Sequence, residues 1–137
     1  YNKFLQFTKD LVDGVHDFDA HTFKVALTNT APVNTNTVLA NITQISAGNG
    51  YTTGGAATSM STSTSSGTAK VTGTDVVFTA SGGSVGPFRY AVLYNDSPTS
   101  PADPLIAWWD YGSSVTLADT ETFTVDFDAT NGIATVA

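Results

Sequence analysis

The chain has 137 residues, one domain's length, with 12 acidic against 5 basic side chains and a net charge of −7. That balance excludes the Lys/Arg footprint by which proteins hold nucleic-acid phosphates or an anionic membrane, and no apolar run reaches the roughly 18 residues of a spanning helix. Cysteine is absent, which excludes disulfides and thiolate metal sites. The hydrophobic share of 41% is enough for a core, while charged residues are only 12%. Ser and Thr fill the gap at about a quarter of the chain, against ordinary composition.

Residues 1–14 carry the one helical pattern. Phe4, Phe7, Leu11 and Val15 recur with a 3.6-residue period, flanked by Leu5 and Val12. Asn2 is positioned to cap the start, and Gly14 suits the left-handed residue just past the end. The stripe needs a cover, which is either the chain's own β body or a neighbouring subunit.

After the polar corner Asp17–His21 the period becomes two. Phe23, Val25 and Leu27 face one way, with Thr22, Lys24 and Thr28 opposite. The runs Val76–Ala80, Tyr90–Tyr94, Leu105–Tyr111, Thr122–Phe127 and Ile133–Val136 also read as strands, rich in the β-branched and aromatic residues that suit a pleated surface. Glycine, asparagine and proline clusters separate them, and Thr130-Asn131-Gly132 between Phe127 and Ile133 predicts a hairpin with a loop longer than two residues. The Ser/Thr tract from Thr58 to Thr68 reads as a polar edge strand or arm, with a flexible loop as the alternative. Six to eight short strands predict one domain over residues 1–137. It is mainly β, an antiparallel β-sandwich or jelly roll over residues 22–137 with one short N-terminal α-helix.

Charge divides the chain. Residues 1–70 hold four acids and four bases, whereas residues 71–137 hold eight acids and Arg89 alone. Such asymmetry fits a molecule that docks through one end and shows water the other, or else a plain solvated acidic surface.

The motifs associated with chemistry fall short of their requirements. Gly82-Gly83-Ser84-Val85-Gly86 matches the G-x-S-x-G nucleophile pattern, but Pro87 and a strand follow where a helix is needed, and His16 and His21 precede the serine. Gly48–Gly55 has Thr53 where the dinucleotide fingerprint needs glycine and Ala56 where a P-loop needs lysine. It reads instead as a paired-glycine turn or a close-packing point. His16 and His21 lie among Asp13, Asp17 and Asp19, yet a spacing of five across a helix end does not put them on one face. Surface or capping roles are expected of them. Asp126 and Asp128 share a strand face, and paired carboxylates serve glycoside hydrolysis. On an outward edge they read as solvated. No catalytic residue, cofactor or metal is expected.

Trp108-Trp109-Asp110-Tyr111 is the densest aromatic spot, and on a strand the two tryptophans point to opposite faces. One is expected in the core. The other lies under its own chain, in a protein interface or against a carbohydrate. Phe4, Phe7, Leu11, Val15, Trp108 and Trp109 are therefore the candidate interface residues.

Several segments in order carry a resemblance that spans nearly the whole chain. They are Tyr1-Asn2-Lys3-Phe4 with Gly14-Val15-His16, Lys24–Pro32, Gly48–Gly55, Arg89–Asp96, Leu105–Gly112 and Phe123–Gly132. Together they resemble small virion structural proteins of tailed bacteriophages. The resemblance implies a non-enzymatic, particle-building role as a head decoration (cement) protein on the capsid exterior. It also implies a homotrimer, the major capsid protein as partner, and assembly in the bacterial host cytoplasm, whose reducing conditions a cysteine-free chain suits. It supplies no catalytic residues. Two readings from other classes stand beside it. One is a carbohydrate- or receptor-binding module of a tail or fibre, resting on Trp108, Trp109, Tyr94 and Tyr111. The other is a glycan-cleaving enzyme resting on Asp126 and Asp128, which needs a cleft with two facing carboxylates.

Overall fold

The computed structural model describes residues 1–137. In chain order the elements are β1 (Asn2–Lys3), α1 (Leu5–Val12), β2 (Phe23–Thr28), a 3-10 turn (Leu39–Asn41), β3 (Ala56–Thr58), β4 (Met60–Ser65) and β5 (Thr68–Gly73). There follow β6 (Val76–Thr79), β7 (Val85–Asn95), β8 (Leu105–Leu117), β9 (Thr122–Val125) and β10 (Ala134–Val136). Every ladder is antiparallel. One layer is the five-stranded sheet β1-β8-β7-β2-β3, and the other is split into β10-β5-β4 and β6-β9. The split layer is one ribbon with a break, because only two residues separate β5 from β6, while eight residues with a turn lie between β9 and β10. At the break the Phe127 N–H donates to Asp75 Oδ1 at 2.9 Å.

The antiparallel β-sandwich with a single short N-terminal helix is the architecture the residue pattern predicts. Ten strands form rather than six to eight: β1 and β3 have only two or three residues and leave no period-two signal, and β5 follows the Ser/Thr tract without a turn cluster that would set it apart. Conversely, β7 and β8 run for 11 and 13 residues because register shifts near Val85, Phe88 and Leu93 absorb their irregular stretches. The Ser/Thr tract forms the edge strand β4, hairpinned to β5 through Ser66-Gly67 at φ +49° and +82°, the left-handed pair of a two-residue turn.

Two expectations are corrected. The segment around Thr130-Asn131-Gly132 is a turn but not a hairpin: β9 pairs with β6 and β10 with β5. Asn2 does not cap the helix. It lies in β1, and the unsatisfied Leu5 N–H donates to the Asn34 carbonyl at 2.9 Å instead. The main sheet is buried on both sides. One side meets the ribbon in a large core containing Phe23, Val25, Leu27, Phe88 and Leu93. The other, with Ala26, Val92, Tyr94 and Leu105, is covered by Phe4 and Leu39, and Thr28 Oγ1 donates to the Thr43 carbonyl and accepts the Thr30 N–H.

The helix ends as its glycine predicts. Gly14 has φ +73°, its N–H donates to Leu11 O, and the Val15 N–H donates to Asp10 O at 2.9 Å, the paired bonds of a Schellman cap.

Candidate functional site

The N-terminal residues clasp the edge of the main sheet. Asn2 stands opposite Trp108 and Lys3 opposite Ala107. The tryptophans point to opposite faces, and each is covered by an aromatic from this segment. Phe4 lies 4.5 Å from Trp108, and Tyr1 lies 5.9 Å from Trp109, edge to face. Neither tryptophan is fully buried; both are half-exposed. Of the other candidate interface residues, Phe4 and Phe7 are consumed by the chain's own cores, at 0% and 5% exposure. They are not on one stripe either, since Phe4 is extended and joins the core opposite that of Phe7. Leu11 and Val15 are half-buried.

Beyond Trp109 the sandwich is open along one side. There β8 and β1 are the outer strands of one layer, and β9 and β10 are the outer strands of the other. An apolar seam runs between them. It begins at Tyr111 against Phe123, 5.5 Å apart, and continues past Trp109 against Phe127, also 5.5 Å apart. It then widens beyond Tyr1 and Ile133 into a groove of about 840 Å³ between α1 and the inner face of β5 and β10. Seven large hydrophobics of the chain are exposed, and four of them (Tyr1, Val12, Tyr111 and Val136) border this seam. That concentration makes the seam the candidate interaction surface of the chain.

The seam carries opposite charges at its two ends. In the wide groove Lys3 is the one charged side chain, and its ammonium donates only to the neutral Thr8 hydroxyl at 2.7 Å. Lys9, Lys24 and Arg89 are each paired with a carboxylate. Toward Tyr111 the seam carries Asp126, whose carboxylate accepts no hydrogen bond from the chain. Asp128, by contrast, anchors a turn. Its Oδ1 accepts the N–H groups of Thr130 and Asn131 at 2.8 Å each, and Asn131 holds its pKa below the usual carboxylate value. Asp126 and Asp128 lie just past the end of β9, both exposed.

The histidines meet where their spacing gave no reason to expect it. Asn95 Nδ2 lies 3.2 Å from His16 Nδ1 and 3.0 Å from His21 Nδ1. With the amide donating to both, each ring carries its proton at Nε2. His21 also accepts the Asp17 N–H, a capping role. His16 is not a surface residue: it is 8% exposed between Phe7 and Phe18, and its Nε2 and the buried Asp10 Oδ2 have no partner. Burial lowers its pKa from 6.5 to about 4, outweighing the opposing pull of Asp10.

The glycine motifs are packing devices. A Cβ on Gly50 would lie 2.2 Å from the Thr79 carbonyl oxygen, and one on Gly55 would lie 1.8 Å from that of Val25. Between them Tyr51 is buried, its hydroxyl accepting the Leu27 N–H and donating to Gln44 Oε1. Ser84 is exposed, and its carbonyl accepts from Asn49 Nδ2 at 2.9 Å. The four aromatics of a carbohydrate platform are dispersed. Tyr94 is 1% exposed and Trp108 lies under Phe4, leaving Trp109 and Tyr111 on the seam.

Sequence reasoning missed Tyr1, Lys3, Ile133 and Val136 as parts of this surface. The available signal was Val12, an apolar residue beside the helical stripe, which is 83% exposed. No family model, curated protein or solved structure matches the chain.

Proposed function

We propose that the chain is a non-enzymatic structural component of a tailed-bacteriophage particle, a head decoration protein that binds and stabilises the capsid exterior as a homotrimer. The ordered segments that resemble such proteins support this reading, and the open apolar seam carries it. A polar, acidic, Ser/Thr-rich body is suited to face water, and a single apolar seam at the N-terminal end gives it one face to bury against the major capsid protein. Burying Tyr1, Val12, Tyr111 and Val136 would remove side chains worth roughly 1.5–3 kcal/mol each when fully covered, before the cost of association.

The test is particle stability. Particles assembled without the chain are expected to release their DNA at a lower temperature than complete ones, and purified protein added back is expected to bind and restore the difference. Deficient particles that are equally stable and bind no added protein would contradict the proposal.

A further inference from the structure

We infer that the seam receives an extended segment of a partner chain, which adds as a strand at the free edge of β10, between it and β1. The inference stands apart from the particle assignment, because it concerns how this surface binds, whichever partner supplies the segment.

Three observations converge on an extended peptide. Two sheet edges border the same groove: β1 is the outer strand of the five-stranded sheet and β10 that of the three-stranded sheet. Outer strands carry backbone N–H and C=O groups that face no partner strand, and an added strand satisfies them. The groove beside them is apolar, with Leu11, Val12 and Val136 ready to receive every second side chain of such a strand. The charges then set its direction. A carboxylate on the segment meets Lys3, which makes no ion pair, and a cation toward the other end meets Asp126, whose carboxylate accepts no hydrogen bond from the chain.

Other occupants satisfy fewer of these features. A fatty acyl chain would place its carboxylate on Lys3 but leave both strand edges and Asp126 unpaired. A second copy would bring another acidic half, eight acids against Arg89, toward seam walls built largely from that same half.

The test pans a random-peptide library on the immobilised full-length protein, then measures the enriched peptides by fluorescence anisotropy and amide hydrogen exchange. Peptides alternating apolar and polar residues with an acidic residue near one end are expected, with slowed exchange in β10. Val136→Asp is expected to weaken them about tenfold or more, and Lys3→Glu several-fold, with binding recovered when the peptide's acid is replaced by lysine. Val77→Asp, an exposed change on β6 outside the wide groove, is expected to leave binding intact. If Val136→Asp lowers the melting temperature, Val12→Asp at a more exposed position serves in its place. Helical peptides, binding insensitive to these seam variants, unchanged exchange in β10, displacement of the peptide by palmitate, or a dimer of the protein that excludes the peptide would each overturn the inference.

Discussion

His16 shows how a single buried side chain sets a pH limit. Its ring is held neutral between Phe7 and Phe18, with a pKa near 4, whereas the unfolded chain takes up that proton near 6.5. Below pH 6.5 the unfolded state therefore binds more protons, and stability falls as pH drops through the window from 6.5 to 4, levelling off beneath it. By about pH 5 the loss amounts to roughly 2 kcal/mol. His16→Leu fits the same aromatic surroundings and is expected to abolish the fall between about pH 6.5 and 5 in urea titrations. An equal fall in both proteins would place the titrating group elsewhere. Glycine supplies a second contrast at this scale. Gly55 and Gly14 both have positive φ, but a Cβ at Gly55 strikes the Val25 carbonyl and one at Gly14 meets open space. Gly14→Ala is expected to cost about 1 kcal/mol from backbone strain alone, and Gly55→Ala about 3 kcal/mol or more. Similar denaturation midpoints for the two variants would contradict the packing role of the Gly48–Gly55 loop.

The N-terminal segment behaves as part of the core and as the wall of the seam at once. Phe4 and Phe7 are buried in opposite cores, and deleting residues 1–14 removes both, along with the aromatic covers of Trp108 and Trp109. Two such side chains are worth roughly 3–6 kcal/mol against a domain's usual 5–15, so the truncated chain is expected to lose its cooperative melt or melt far lower. Phe4→Ala alone is expected to cost about 3–5 kcal/mol, while Leu5→Ser on the exposed side stays within about 0.5. A truncated protein that melts like the full chain would show that the helix is dispensable to the fold. The helix was legible because its apolar period and Gly14 are local signals. Its first residue was not, because the carbonyl that satisfies Leu5 comes from Asn34, brought there by tertiary structure. The turn at Thr130–Gly132 was legible for the same local reason, and its partner strands were not. Ile133 bonds to Val71, far along the sequence, in place of the neighbouring β9. The seam was the least legible feature, because it is made by strands of two and three residues and by the break in the second layer.

At the scale of the whole molecule, the uneven charge along the sequence becomes an uneven surface. The neutral first half supplies Tyr1, Lys3 and the helix on one side of the seam, and the acidic half supplies the outer strands β8, β9 and β10. Both layers leave strands uncovered on that side, so the fold buries its core while keeping one apolar, hydrogen-bonding face available for a partner. The proposed role requires that face to be turned toward the shell. The direct measurement is a cryo-electron-microscopy map of the intact particle to which the proposal assigns the chain. The expected result is density for this sandwich on the outer surface of the head, in groups of three, with the seam beside Tyr1 and Val136 against the capsid protein and the acidic body facing solvent. Density for it only in the tail, its absence from the particle, or a seam left open to solvent would contradict the proposed role.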